Sequence, residues 1–595
     1  VARGQRGATT LVAEIVPAGR GAAARPAFDR GPDVALSRAA RGDAGIGDLV
    51  TLSLRGGGAR VIAVHGRASS PRAAMTALLA EEGLGRPFPA AALDEAEAGT
   101  RIDGAGDRGR RDMRDQLVIT IDPEGAKDHD DAVAVSLEGD AVRLWVHIAD
   151  VTRFVPPGGH TDREAARRGT SVYVPGSVDP MLPPRLSSDL CSLRPGVDRL
   201  AVTAEMLVDA DGAVGETRFY RSTIRSEHRL TYPEVDGHFA GASLGGGALE
   251  DGLDVARALA RRMRARRTGR GALTIASSEP VVRFAGDRVA SVALEHQTES
   301  HRLIEEFMIA ANEAVARFLI GRKRPTVFRF HEDPEEVRVE RLYEQLDELG
   351  VVVPPLPDPP LTPSQARQAA HDASDAVARF VEREGRGARA FPGLVLRSLR
   401  QAYYATDRVG HSGLASAAYL HFTSPIRRYP DLMAHRTLLD ALGIGDPAPD
   451  PAWLAEAAFR SSETERAAAD VERIADRICA AYLLADTIAE RGWDTVFEGE
   501  VTGLIEVGAF VAFEDVFEGF LPVRLIPGDR YYLDPLGTAL TGEATGRKVR
   551  LGDPVEVRVS EVNRLRGRVN LEPAEGAPPP KPPPLRARAR ARRRR

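Results

Sequence analysis

Between Asp122 and Asp131 the chain places four aspartates, Asp122, Asp128, Asp130 and Asp131, within ten residues, and Lys127 is the only cation among them. Carboxylates crowded this closely repel one another and hold their protons more tightly unless a cation sits between them. A divalent metal is the natural candidate, because oxygen-rich sites suit Mg²⁺ or Mn²⁺, and Mg²⁺ keeps waters and substrate phosphates among its ligands. Open coordination positions are what phosphodiester hydrolysis needs. Two metals roughly 3.5 to 4 Å apart can activate the attacking water and stabilise the leaving oxygen. The plainer readings are a solvated acidic turn or a structural calcium loop. Spacing disposes of an EF-hand: counted from Asp128, the sixth position is Val133 instead of glycine and the twelfth is Gly139 instead of glutamate.

A loop that holds carboxylates at fixed spacing must be anchored. The runs Leu117 to Ile121 and Ala132 to Leu137 read as strands on either side of it, and after the turn at Glu138 to Asp140 the alternation of Val142, Leu144, Val146 and Ile148 predicts a third. Farther on, Leu303, Phe307, Ala310, Ala314 and Phe318 form one stripe of a helix over His301 to Leu319, and Trp453 to Arg491 reads as helical throughout. Strands first and helices later, without a break over 117–491, predict one central α+β domain.

The flanks differ. Residues 1–70 alternate short β-prone runs with Gly-rich turns, which predicts an OB or cold-shock-like β-barrel, followed by a helical and linker segment over 71–116. Short strands return over 492–573 as a second barrel. The Pro/Arg-rich tail over 574–595 cannot bury enough apolar surface to fold alone and is expected to be disordered. From Lys581 onward it carries eight positive charges and no negative ones, although the whole chain has net charge −5. The chain is multidomain by length, and no apolar run approaches the roughly 20 residues of a membrane span. Its N-terminal residues show no secretory signal, and the only cysteines, Cys191 and Cys479, lie far apart, which fits a reducing compartment. The expectation is a cytoplasmic protein with no membrane partner.

The block from Thr120 to Val133 resembles the catalytic signature of the ribonuclease II superfamily, which has an RNB-type catalytic domain. Further blocks follow in that family's order: Val146-His-Ile-Ala-Asp-Val151, Gly169-Thr-Ser-Val-Tyr173, Met181-Leu-Pro183, Leu190-Cys-Ser-Leu193, His301-Arg-Leu-Ile-Glu-Glu306 and the run His421 to Asp431. The resemblance spans roughly Arg110 to Leu571. It implies a processive, hydrolytic 3′-to-5′ exoribonuclease that degrades single-stranded RNA to nucleoside 5′-monophosphates with Mg²⁺ or Mn²⁺. It assigns metal to Asp122, Asp128, Asp130 and Asp131, and makes Asp130 the most critical carboxylate, a ranking the spacing itself does not give. It further implies that Tyr173 and Phe328 stack on the last nucleotides, that Tyr232 is an active-site tyrosine, and that Arg427 grips phosphate near the cleaved bond, with Arg428 beside it on the RNA. Glu465 matches a glutamate near the product's exit.

His147, His421 and His435 lie in apolar or strand-like segments and read as structural histidines. The C-terminal barrel resembles an S1 RNA-binding domain, with Phe510 and Phe513 as candidate stacking residues, while Val507 and Pro522 stand where such domains often present an aromatic and a histidine. The stretch Tyr531 to Arg550 resembles an insertion found in the terminal barrel of one branch of the superfamily. Phe28, the only aromatic of the first barrel, is expected at an RNA entrance. The expected partner is single-stranded RNA, with the ribosome or other RNA-decay factors as further candidates, and the expected state is a monomer. A noncatalytic RNA-binding protein on the same scaffold is the main rival, marked by loss of an aspartate from the cluster, and none is missing. A metal-dependent phosphoesterase acting on DNA or small nucleotides is the second.

Overall fold

The computed structural model describes residues 9–55, 58–104, 106–107, 109–273 and 278–574. The basic stretch from Lys581 onward lies outside them. The chain opens with five antiparallel strands, β1 (Thr9–Ala18), β2 (Gly21–Pro26), β3 (Val34–Leu36), β4 (Asp48–Arg55) and β5 (Gly58–Arg67), with the short helix α1 (Arg38–Arg41) before β4. Their order is β3-β2-β1-β4-β5, and β3 comes close to β5, so the sheet curls toward a barrel. Its interior is built of Ala13, Ile15, Ala24, Val50 and Leu52. Phe28 packs at the base of this sheet in a cluster with Met75 and Tyr482.

Helices α2 (Pro71–Glu81) and α3 (Ala90–Ala98) lead to β6 (Arg111–Asp112). The sequence reads 99–115 as a linker, yet the guanidinium of Arg110 is buried there. It donates to Asp150 (2.8 Å) and to the backbone oxygen of Ser222 (2.6 Å). Burial opposes the charge of Asp150, but Arg221 and Arg110 outweigh it and hold its carboxyl below the usual range. This segment is stitched to the central sheet.

That sheet comprises β6, β7 (Val118–Asp122), β8 (Asp131–Glu138), β9 (Ala141–Ala149), β12 (Asp198–Val208) and β13 (Val214–Thr231), in the order β12-β9-β8-β7-β13-β6 with β12 also paired to β13. The ring therefore closes. Helix α4 (His160–Arg168) and the hairpin β10 (Val172–Val174) and β11 (Ser177–Asp179) lie between β9 and β12. After β13 come α5 (Tyr232–Phe239), α6 (Ala248–Gly269), the hairpin β14 (Ser278–Ala285) and β15 (Arg288–His296), and α7 (Glu299–Gly321). The apolar stripe expected on α7 is buried: Leu303, Phe307, Ala310 and Ala314 join Val146, Ile148 and Val202 of the sheet in the main core.

The pair β16 (Phe328–Phe330) and β17 (Tyr403–Ala405) brackets α8 (Glu336–Glu348), α9 (Pro363–Glu384) and α10 (Phe391–Ser398), which pack together around Leu342, Leu346, Phe380 and Phe391. Helix α11 (Tyr429–Ala441) precedes α12 (Pro451–Arg491), a helix of 41 residues started by Pro451 and the Asp450 side chain, which accepts from the backbone of Ala452. Finally β18 (Val496–Ile505), β19 (Gly508–Phe513), β20 (Phe517–Pro522), β24 (Pro554–Asn563) and β25 (Arg568–Pro573) form a closed barrel. The inserted strands β21 (Tyr531–Leu533), β22 (Ala539–Gly542) and β23 (Lys548–Arg550) make a separate small sheet.

Candidate active site and nucleic-acid interface

The acidic loop is held at both ends by strand pairing. Asp122 closes β7, and its partner across the parallel ladder is Thr231, so Tyr232 begins α5 beside it. Asp131 opens β8 opposite Ile148 of β9. Between them the loop is fastened by backbone hydrogen bonds. The N–H of Ala149 donates to the oxygen of Asp130, that of Leu193 to the oxygen of His129, and that of His129 to Ser192 Oγ, which itself donates to the oxygen of Lys127. Ser192 lies in a block that the sequence singles out without giving it this role.

Each aspartate has its own environment. Asp122 Oδ2 lies 2.7 Å from His129 Nδ1, and Asp128 Oδ2 accepts from the Tyr173 hydroxyl at 2.6 Å. Asp130 is buried, 3% exposed, and its Oδ1 accepts from the backbone N–H of Ile426 at 2.8 Å. Its Oδ2 is buried without a hydrogen-bond partner, 3.6 Å from Arg427 Nε. Burial raises the Asp130 carboxyl well above its usual range, with Asp128 and Asp131 adding to the effect against Arg427 and the Ile426 N–H. Burial likewise raises Asp131, with Asp122 beside it, to about 7. The repulsion expected from the spacing is thus present, and Arg427 only partly offsets it.

Among the described residues, no three His, Cys, Asp or Glu side chains converge into a cage that holds a metal on protein ligands alone. Mg²⁺ is typically bound through one or two carboxylates while waters and phosphates complete its shell. The orphaned Oδ2 of Asp130 and the all-oxygen donor set fit such an ion.

Tyr173 is 36% exposed, with its ring at the cluster and its backbone N–H on Glu472 of α12. Burial and the nearby Asp128 raise its phenol, so it stays protonated and donates. Tyr232 is stacked on His301 with ring centroids 3.7 Å apart, and its phenol is raised by burial and by Asp131 and Asp122, which places it at the same cluster. The segment carrying Arg427 is zipped to the one carrying Tyr173: Ser171 N–H donates to the Arg427 oxygen and Tyr429 N–H to the Gly169 oxygen. Gly169 has φ +72, and a Cβ there would meet Thr464 Oγ1 at 2.2 Å.

Other expected residues are engaged or enclosed by their own neighbours. Nε and Nη2 of Arg428 donate to Asp431, at 2.9 and 2.7 Å, and Asp431 also accepts from Ser424 N–H, so this arginine braces the loop. Phe328 is 4% exposed within the main core, because the β16–β17 pairing turns its ring inward, so it shows no open stacking face. Glu465 on α12 pairs with Arg329 and receives the Tyr404 hydroxyl at 3.5 Å, in a network with His421. In the terminal barrel Phe513 is fully buried between Phe497 and Phe517. Residues three apart on a strand face opposite ways, so Phe510 and Phe513 cannot share a surface. Phe510 instead pairs across the ladder with Phe520, which the sequence reading missed. The histidines are structural: His147 meets Thr203 Oγ1 at 2.9 Å, and His435 meets the Phe422 oxygen at 2.8 Å while stacked on its ring.

A closed mixed sheet presenting an aspartate cluster with Asp130 buried in it, joined by a long helix to an OB-type barrel, defines a class. Residues 110–444 match the RNB domain and residues 493–572 the S1 RNA binding domain. The chain belongs to the RNB-domain family. Within it, the chain is similar to ribonuclease R proteins. The Aquifex aeolicus ribonuclease R is 37% identical over 527 residues, covering 86% of this chain and 72% of that one. The Escherichia coli ribonuclease R is 35% identical over 482 residues, covering 78% of this chain but only 57% of that one. The structure of Mycoplasma genitalium RNase R in complex with ribose methylated single-stranded RNA matches with a TM-score of 0.84 at 23% identity, covering 96% of this chain and 90% of the other. That likeness shows the shared fold. Among the described residues, no helix is long and apolar enough to cross a membrane.

Proposed function

We propose that this protein is a hydrolytic 3′-to-5′ exoribonuclease that degrades single-stranded RNA processively to nucleoside 5′-monophosphates. The observation that carries the reading is Asp130: a buried carboxylate, fixed through one oxygen by the Ile426 N–H, with its other oxygen unpartnered beside Arg427. Burying such a group without a full set of partners is costly, and folds keep it where chemistry uses it. Asp122, Asp128, Asp130 and Asp131 would hold Mg²⁺ or Mn²⁺, which when bound supplies Lewis-acid polarisation of the phosphate and an activated water. Arg427, 46% exposed at its side chain, would hold phosphate oxygens and offset the charge that develops on them. Tyr173 offers a ring face to a base, and sequence-tolerant stacking suits a general degrader. The Phe510–Phe520 face of the S1 barrel would take RNA farther from the cut. The protein would act as a monomer on RNA.

The test is a time course on 5′-labelled unstructured RNA, with Mg²⁺ and with chelator, beside a DNA oligonucleotide of the same sequence. The expected result is conversion of the RNA alone to a short 5′-labelled end product with few intermediates, abolished by chelator. Binding without cleavage in Mg²⁺ or Mn²⁺ would establish the noncatalytic RNA-binding reading instead.

A further inference from the structure

Helix α7 gives His301 to the site already described, but its neighbour Arg302 lines a different feature. Between α6 and α7 lies a cavity of about 330 Å³, at the lower end of the range small-ligand sites occupy. Its walls carry Arg257, Arg261, Arg264 and Arg302 against only Glu299 and Glu306. Both glutamates are already engaged. Glu299 accepts from Arg257 at 2.6 Å and from Arg261, and Glu306 takes the fork of the buried Arg267 at 3.1 and 2.6 Å. Arg264 and Arg302 have neither a hydrogen bond nor an ion pair from their side chains among the described residues. Arg257 Nε is buried without an acceptor, although its other nitrogens reach Glu299 and the Phe239 oxygen. The half-buried Arg264 is depressed by burial and by Arg302, a like charge, with Glu306 and Glu305 only partly compensating. Next along the same helix pair, Arg270 and Arg317 share Glu313.

Convergent guanidinium donors without acceptors call for an oxyanion, and planar guanidinium forks match phosphate oxygens two at a time. We propose that the α6–α7 cavity is a phosphate-binding site, in which Arg264 and Arg302 hold the oxygens of a phosphate group. The group belongs either to a free phosphate ester or to the backbone of an RNA lying outside the catalytic channel. The site shares no residue with the aspartate cluster and does not depend on the activity proposed above.

The test measures equilibrium binding of inorganic phosphate, adenosine 5′-monophosphate and a long unstructured RNA to the full chain in chelator, which prevents turnover. The comparison is with the Arg264→Gln/Arg302→Gln double variant. Weakening of at least tenfold confined to the small probes identifies a free phosphate ester. Weakening confined to the long RNA, with a salt slope shallower by about 0.7 for each lost contact, identifies backbone phosphate. Both support the site, and Arg264→Lys/Arg302→Lys should then restore most of the affinity. Should the double variant melt below the parent, Arg302→Gln alone, at an exposed position, is read with a smaller expected loss. Unchanged affinity for all three probes in a folded variant overturns the proposal. Cleavage of short RNA in saturating Mg²⁺ should be the same in parent and variant.

Discussion

Asp130 is held by two different kinds of contact, and they separate under substitution. Asparagine keeps an oxygen for the Ile426 N–H but sets an amide N–H₂ toward Arg427 where Oδ2 now lies. Asp130→Asn should therefore fold normally and melt no lower than the parent, since it removes a buried charge whose desolvation is costly. Hydrolysis should fall by about 10³-fold or more, about 4 kcal/mol of barrier, with RNA affinity unchanged or slightly higher. Single-turnover cleavage in Mg²⁺ and filter binding in calcium check this together; cleavage within about tenfold of the parent would remove Asp130 from the chemistry. Tyr173 separates in the same way. Tyr173→Ala should change the length of the final product, whereas Tyr173→Phe, which keeps the ring and loses only the hydrogen bond to Asp128, should leave that length unchanged. Matching end products from all three chains on a sequencing gel would dismiss the clamp. At this scale the sequence showed the aspartates and Arg427, because a motif fixes them locally. It did not show that Arg428 donates to Asp431, because side-chain partners depend on how the loop closes.

The strands of the terminal barrel sort their aromatics by parity. Phe510 lies partly exposed against Phe520, and Phe513 is sealed in the core with Phe497 and Phe517. Phe510→Ala should weaken RNA binding by about 1–3 kcal/mol with little change in melting. Phe513→Ala should cost about 3–5 kcal/mol of stability, with affinity following the folded fraction. Thermal melts and titrations of both variants decide it, and equal melting temperatures would contradict the assignment. The strands flanking the acidic loop and helix α7 were legible from periodicity to within two or three residues at each end. The segment over 99–115 was not. Gly, Arg and Asp compose a linker as readily as a packed strap, and only the buried Asp150 awaiting Arg110 distinguishes the two.

Across the whole molecule, several histidines are stored neutral. Burial lowers His147 and His411 to about 3 and His435 to about 4, and each of them has a ring nitrogen that is buried without a partner. Their folded values lie below the unfolded value near 6.5, so the stability they contribute is complete above about pH 6.5 and is lost as pH falls toward the folded values. Below 6.5 each adds about 1.4 kcal/mol per pH unit to the acid sensitivity. His147→Asn, which can keep a partner for Thr203, should flatten the dependence of unfolding free energy on pH between 6.5 and 4 by that amount. The comparison is between two chains, so other titrating groups cancel, and parallel curves would contradict it. The three-part order of β-rich region, central sheet and terminal barrel was readable from the sequence, but what joins them was not. Helix α12 lends Leu454 and Ala457 to the central domain, Ala475 and Cys479 to the N-terminal region, and Leu484 and Ile488 to the barrel. A uniform helical pattern does not say which face meets which neighbour.

That shared helix also sets a timetable for synthesis. Cys479 touches Met75 of α2 across 404 residues of chain. At roughly 5–20 residues per second, α2 waits on the order of 20 to 80 seconds after leaving the ribosome before the surface it packs against exists. During that interval Met75, Leu78 and Leu79, all buried in the finished protein, have no permanent neighbour on that side. A segment made early is thus completed late, and a nascent chain stopped before residue 468 would display this apolar helix to whatever chaperone or protease meets it.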